Sequence, residues 1–432
     1  MKIEFRVVRK IEDINTFKKV ITKFNSLNRD YFYYKSNTGR YSFLAFDFIA
    51  HDISGLNQPI EFLTDLAAKN NIMRDDMSLP PHPLAFAFYP FDEVSSDEWS
   101  DFNSSILIPK YVIYEFQGKH YLLSSVFDAE TTECSDELSL ILIEENQSIP
   151  ELSELSFSVL KEKLSNSKES HLKKLYHAKD LLENSELEKI VLARKIDIEN
   201  LKEPDWGNVF DRMQNQENAH RFIIQRNSSV FFGSSPELLF AFRNGKVFTE
   251  ALAGTIDKET TVESLNEKEK TLQNSAKDLQ EQNIVSEYIV SKLSQFTANL
   301  SFDKIPRARS TNNLLHLRTR ILANGITLNQ IPDLFRSLFP TPAVCGVPME
   351  ISKQKISEIE NFERGLYSGA IGWSDSKNGI SFFVPLRCGL YKDGTLSIYS
   401  GGGIVSASVP ENEFRETVIK ALSFLSLLTD EN

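Results

Sequence analysis

An Asn-Gly pair at positions 244 and 245, set between the apolar runs FFGSSPELLFAF and VFTEALAGTI, constrains this chain more than any other local feature. Both residues tolerate positive φ at little steric cost, so the pair closes a two-residue hairpin whose strands twist compatibly. With that turn fixed, facing positions sum to 489, which sets Glu237 opposite Leu252. Strand pairing therefore governs this region.

Other segments carry the same signature. EKIVLARKIDI (188–198) is apolar on both faces, which predicts a central strand covered on both sides. SFLAFDFIA (42–50), LAFAFYPFD (84–92) and the pair YVIYEF and HYLLSS (within 111–125, joined by Gln-Gly-Lys) read as strands. Two more flank Lys392-Asp393-Gly394 within 379–405. Helical periodicity appears at 170–185, across 262–298 as one long amphipathic helix, and at 409–428. In the last, Ser408 and Glu411 have capping-box spacing and Pro410 falls in the first turn. Residues 93–104 read as a polar surface loop, and 146–170 as a charged connector or exposed helix. The class is α/β in the broad sense. At 432 residues it allows two or three ordinary domains or one large interwoven unit.

Charge narrows the partners. A net charge of −12 and the lack of a basic stripe exclude nucleic acid, because phosphate neutralisation needs a cationic face. An anionic substrate would need local Lys, Arg or a metal to overcome that background. The first ten residues, MKIEFRVVRK, are charged where a signal peptide needs an apolar core, and no run approaches the roughly 18 apolar residues of a membrane span. Cys134, Cys345 and Cys388 lie far apart without a CxxC pair, which fits buried thiols in a reducing compartment. The expectation is a cytoplasmic protein that does not engage membranes, and nothing demands more than a monomer.

Several acids and lysines sit where apolar residues would be cheaper. Glu281 shares a helical stripe with Ile284, Val285 and Tyr288, and reads either as a buried group needing a cation or as a rim acid with its head in water. Glu413, Glu416 and Lys420 point the same way as Phe424 and Leu427; they form either a solvated Glu–Lys pair or a functional face. Carboxylates from two helices suit an oxygen-ligated hard cation such as Mg²⁺. Glu237, opposite Leu252 and beside Ala251, would have its pKa raised by desolvation, as a general acid near neutral pH requires, unless it is an exposed strand start. Lys189 opens the doubly apolar strand. Buried, it becomes a candidate base, since lowering its pKa by ~3 units costs about 4 kcal/mol; at the edge, it snorkels.

With these residues in place, the chain resembles the chorismate-utilising enzymes, and among them the isochorismate synthases. The segments EKIVLAR, FFGSSPELLF, TEALAGT, KDLQEQNIV, NLLHLRTRI, FPTPAVCGVP, ERGLYSGAIGW, FFVPLR, YSGGGIV and ENEFRETVIK follow the family's order across residues 168–428. The resemblance implies two mainly antiparallel sheets packed in a sandwich flanked by helices. Residues 1–160 would form an N-terminal α/β portion packed on a chorismate-binding core, 161–430, within the same structural unit.

By the same resemblance, Lys189 would activate water for attack at ring carbon 2, and Glu237 would protonate the departing 4-hydroxyl. Glu281 and Glu416, with Glu413 nearby, would bind Mg²⁺. Tyr367, Arg387, Gly402 and Lys420 would hold the carboxylates of chorismate or isochorismate. His316 would sit beside the ring, and Leu252, Gly254 and Thr255 would line the pocket. Lys189 with Ala251-Leu252 resembles the water-using branch, whereas amine-transferring relatives generally lack that Lys. Salicylate synthases share it and add pyruvate elimination; a silent chorismate-binding subunit is a third alternative. Gln282, Cys345 and Gly402 depart from residues common in the family, and no catalytic group is missing. The product's fate, in menaquinone, siderophore or salicylate synthesis, is left open.

Overall fold

The computed structural model describes residues 4–11, 16–51, 59–70, 81–103, 105–126, 167–258, 262–311 and 314–429. Every strand pairing among them is antiparallel. One ladder starts at Glu4–Ile11 and Lys119–Val126 and passes through Ser105–Phe116, Tyr41–His51, Tyr31–Lys35 and His220–Arg226. It continues through Ser229–Ser235, Cys388–Lys392 and Thr395–Val405 to Lys189–Ile198. A second ladder leaves Ser105–Phe116 at residues 105–107 and runs through Pro83–Tyr89, Ala370–Asp375, Ile380–Phe383, Leu238–Arg243 and Lys246–Asp257 to Leu314–Asn324. The strand Ser105–Phe116 thus belongs to both.

Side chains alternate across a strand, so each sheet has an inner and an outer face. Phe32, Tyr34, Phe43 and Phe231 of the first ladder meet Phe86, Phe88, Trp373 and Phe383 of the second in one aromatic interior. Edge-to-face contacts such as Phe32–Phe86, 5.0 Å between centroids, suit the ring quadrupoles. Their sequence neighbours Tyr31, Tyr33, Leu44 and Phe46 face outward and pack with the helices Thr16–Ser26, Trp206–Gln214 and Pro410–Leu425. On the second ladder Ala85, Phe240, Phe242 and Ile321 pack with the helices Pro59–Asn70, Ala276–Ser294 and Ile331–Leu338. Both faces of both sheets are covered, which is why strands such as YFYY carry no polar alternation. The architecture is the expected sandwich of antiparallel sheets flanked by helices.

The Asn244-Gly245 turn takes positive φ at both residues, and Ala241 faces Phe248 in the expected register. Strand Lys189–Ile198 is central, pairing with Thr395–Val405 on one side and Gly346–Val347 on the other. Three expectations need correction. The helix over 262–298 is two helices, Val262–Asn274 and Ala276–Ser294, because Ser275 leaves helical geometry and its hydroxyl accepts from the Asp278 N–H. The Ser408–Glu411 capping box does not form: Val409 is the N-cap, Ser408 Oγ accepts from Val405 N, and Glu411 pairs with the Tyr176 hydroxyl. Within 93–104, residues 97–102 form a short 3₁₀ helix that buries Trp99 and Phe102. Most of 146–170 lies outside the described residues, and the helix that follows begins at Lys168.

Candidate active site

Where the two ladders end beside the helices Ala276–Ser294 and Pro410–Leu425, a cavity opens. Its wall includes Val191, Glu237, Leu252, Gly254, Thr255, Glu281, His316, Tyr367, Arg387, Gly402, Glu416 and Lys420. Lys189 and Glu413, the other two residues singled out in the sequence, lie immediately behind this wall in contact with Glu281 and with Lys277 respectively. All thirteen candidates therefore share one locality, although they span residues 189 to 420.

Glu237 lies with Pro236 in the short link between strands Ser229–Ser235 and Leu238–Arg243, where Ser235 Oγ accepts from the Glu237 N–H at 3.2 Å. Val384 N–H donates to the Glu237 carbonyl. Its carboxyl is only 6% exposed, so the alternative of an exposed strand start fails. Burial pushes this carboxyl up to about 7, against the opposing pull of a hydrogen bond from Thr341 Oγ1 at 3.2 Å and of Lys189 and Lys420. It can therefore hold a proton near neutral pH. Thr341 was not singled out from sequence, although it stands in the FPTPAVCGVP segment.

Behind the wall, Lys189 is fully buried rather than snorkelling, and its Nζ lies 3.1 Å from Glu281 Oε1. Glu281, 6% exposed, is no rim acid. Burial alone would raise its carboxyl, but Lys189 and Lys277 hold it well below the usual range. Gly403 makes this approach possible: a Cβ there would lie 2.2 Å from Glu281 Oε1 and 2.7 Å from Lys189 Cε. Lys420 pairs with Glu416 at 2.6 Å and donates to the Gly401 carbonyl at 3.0 Å.

The residue that sequence reading missed here is Lys277. Its Nζ lies 3.1 Å from Glu413 Oε1, 3.4 Å from Glu281 Oε2 and 3.9 Å from Glu416 Oε2. The signal was available as Lys-x-x-x-Glu spacing on one helix face, and the broken helix is what turns it inward. The three acids expected to hold a metal thus surround an ammonium group. Their chemistry, oxygen donors alone, suits a hard cation, and Glu413 Oε2 is buried without a hydrogen-bond partner. Lys277 stands among them, within 4 Å of each.

A second cluster fixes the guanidinium. The register of Lys246–Asp257 against Leu314–Asn324 slips between Ala253 and Thr255, at Gly254, whose φ is +69°. A Cβ there would press on Asp278 at 3.0 Å. The bulge aims the Gly254 carbonyl at His316 Nδ1, 3.2 Å away. A carbonyl only accepts, so Nδ1 carries the proton and Nε2 is left to accept from Arg387 Nη2 at 3.2 Å. Burial, reinforced by Arg387 and Lys420, lowers the His316 pKa well below its ordinary value and keeps the ring neutral. Tyr367 stacks on Tyr399, 5.4 Å between centroids. Gln282, fully buried, donates to the Ala251 carbonyl and to Thr319 Oγ1, tying the helix to the strand that carries Leu252.

The site therefore offers a buried acid, an ammonium–carboxylate pair, and Arg387 and Lys420 for anions. The family profile described as chorismate binding enzyme matches residues 2–429. The chain is 31% identical over 262 residues to the vibriobactin-specific isochorismate synthase of Vibrio cholerae, covering 60% of this chain and 64% of that protein. Such matches span less than two thirds of the length of the curated relatives. In fold, the menaquinone-specific isochorismate synthase of Escherichia coli superimposes with a TM-score of 0.76 at 22% identity, covering 99% of this chain and 95% of that one. Anthranilate synthase component I of Streptococcus pneumoniae gives 0.69 at 17% identity over 98% and 92%. One scaffold therefore serves relatives named for different reactions, and only the site discriminates among them.

Proposed function

The chain belongs to the family of chorismate binding enzymes, and on that premise we propose that it is an isochorismate synthase that uses Mg²⁺. The observation that carries the reading is what gathers at one cavity: Glu237, a carboxyl poised near neutrality by burial, and Lys189, the residue that by resemblance marks the water-using branch, behind Glu281. Conversion of chorismate to isochorismate forms a bond from water oxygen to C2, shifts the ring double bonds and breaks the C4–oxygen bond. Glu237 gives its proton to the departing 4-hydroxyl, which leaves as water. Lys189 takes a proton from the attacking water as the free amine, after its own proton has passed to its partner Glu281 or to solvent. Arg387, oriented by neutral His316, and Lys420 bind the substrate's two carboxylates.

Glu281, Glu416 and Glu413 would hold the Mg²⁺ ion, which supplies Lewis-acid attraction for a substrate carboxylate. Leu252 is part of the cavity wall that also holds the acid, on a strand that Gln282 anchors through the Ala251 carbonyl. Cys345 and Cys388, both buried free thiols, fit a cytoplasmic setting.

The test is incubation of purified protein with chorismate and Mg²⁺, with products separated by chromatography. Isochorismate, formed reversibly and approached from either side, is expected. Salicylate with pyruvate, or anthranilate or aminodeoxychorismate with ammonia and no isochorismate, overturns the assignment. So does Mg²⁺-dependent binding of chorismate without turnover.

A further inference from the structure

Lys277 stands where the metal would. Its ammonium is within 4 Å of all three carboxylates proposed as ligands, and of Asp278 Oδ1 at 3.7 Å. Two of those acids already have cations of their own: Lys189 on Glu281 and Lys420 on Glu416. Among the described residues Glu413 pairs with Lys277 alone at this distance, and its second oxygen lies on the side of Gly402, in the cavity wall. We infer that Lys277 is a tethered counter-ion that occupies the cation position of the free enzyme and must swing out for a divalent cation to enter.

The surroundings allow that movement. Lys277 lies in the first turn of the helix Ala276–Ser294, just after the Ser275 break, so its four-carbon stem is anchored close to solvent. Its side chain is 21% exposed, more than any of the acids it touches. It lines a groove on the outer side of the carboxylates, whose other walls include Asp257, Asp278, Asn412 and Arg415. Asp257 and Asp278 can receive the displaced ammonium, while Arg415 repels it. Thr255 and Glu416 belong to both the groove and the inner cavity, so the groove is the solvent side of the same site. An ammonium and a divalent cation cannot share this space, since each would desolvate and repel the other. The consequence is that Mg²⁺ binds the free enzyme weakly, and bound substrate, which adds its own carboxylate, tips the exchange.

This inference rests on the metal site proposed above, and the experiment separates the two. Mg²⁺ affinity in the absence of substrate is measured by calorimetry for wild type, Lys277→Met and the charge-retaining Lys277→Arg. Lys277→Met is expected to bind at least tenfold more tightly than wild type, and Lys277→Arg no more tightly. Without metal, Lys277→Met should melt at lower temperature than wild type, with Mg²⁺ restoring more of that loss than it adds to wild type. Equal affinity in wild type and Lys277→Met, or weaker binding by Lys277→Met, overturns the counter-ion and leaves the metal site standing. Absence of binding in all three overturns both. Should the variants not fold, acetylation of wild-type Lys277 by an N-hydroxysuccinimide ester, read by mass spectrometry, answers the same question. Several-fold faster labelling on adding Mg²⁺ supports displacement, and unchanged or slower labelling overturns it.

Discussion

In the proposed reaction Glu237 serves as the acid because of where it is buried, and its protonation sets a pH window. Its carboxyl is proton-loaded below about 7 and loses the proton above, so turnover should fall as pH rises through that value. Thr341 donates to the carboxylate and so pulls the pKa down; Thr341→Val should move the alkaline limb of kcat/KM to higher pH, a shift readable in a pH–rate profile. The same group bears on stability. In the window from its ordinary 4.5 up to about 7 the folded chain binds more protons than the unfolded one, so stability falls as pH rises, by an amount on the order of 3 kcal/mol. Glu237→Gln should abolish turnover and flatten that slope in denaturant titrations at pH 5 and 8. Gly403 is as constrained as the acid: Gly403→Ala drives a methyl into the Lys189–Glu281 contact. A loss of at least about tenfold in kcat/KM, on the order of 1.4 kcal/mol, is expected in steady-state assays.

At the level of elements, the active-site strands are held by a buried brace. Arg364 grips Glu360 with two hydrogen bonds, of 2.6 and 2.8 Å, and also bonds the Val191 and Val344 carbonyls, while Glu360 accepts from Ala193 N. Glu360→Gln leaves the guanidinium charge buried without its counter-charge, and should cost roughly 3–5 kcal/mol in chemical denaturation. Ser275 matters in a smaller way; Ser275→Ala should cost about 1 kcal/mol and loosen the turn that carries Lys277. These elements also mark what sequence can and cannot say. The Asn244-Gly245 hairpin and the doubly apolar strand at 189–198 were legible because each depends on neighbours in the chain. The break at Ser275 was not: its apolar periodicity runs through, and only the hydroxyl's capping of Asp278 interrupts the helix. Lys277 escaped because its partners Glu413 and Glu416 lie some 140 positions away, on a helix whose docking no local pattern encodes.

Across the whole molecule, the N-terminal strands are structural members of the same sheets as the site. Tyr31–Lys35 pairs with His220–Arg226, and Pro83–Tyr89 with Ala370–Asp375. A fragment starting at residue 161 would expose two strand edges and half of the aromatic interior. It should lack a cooperative melt and near-ultraviolet dichroism, whereas the full chain shows both. The motif order made the fold legible, yet the bridging role of Ser105–Phe116 was not, because sharing a strand between sheets leaves no mark in its alternation. The cavity wall has a wider consequence: it is assembled from strand ends and helix turns between Val191 and Lys420, each contributing one to three side chains. In terms of inheritance, no contiguous stretch of the gene encodes the activity.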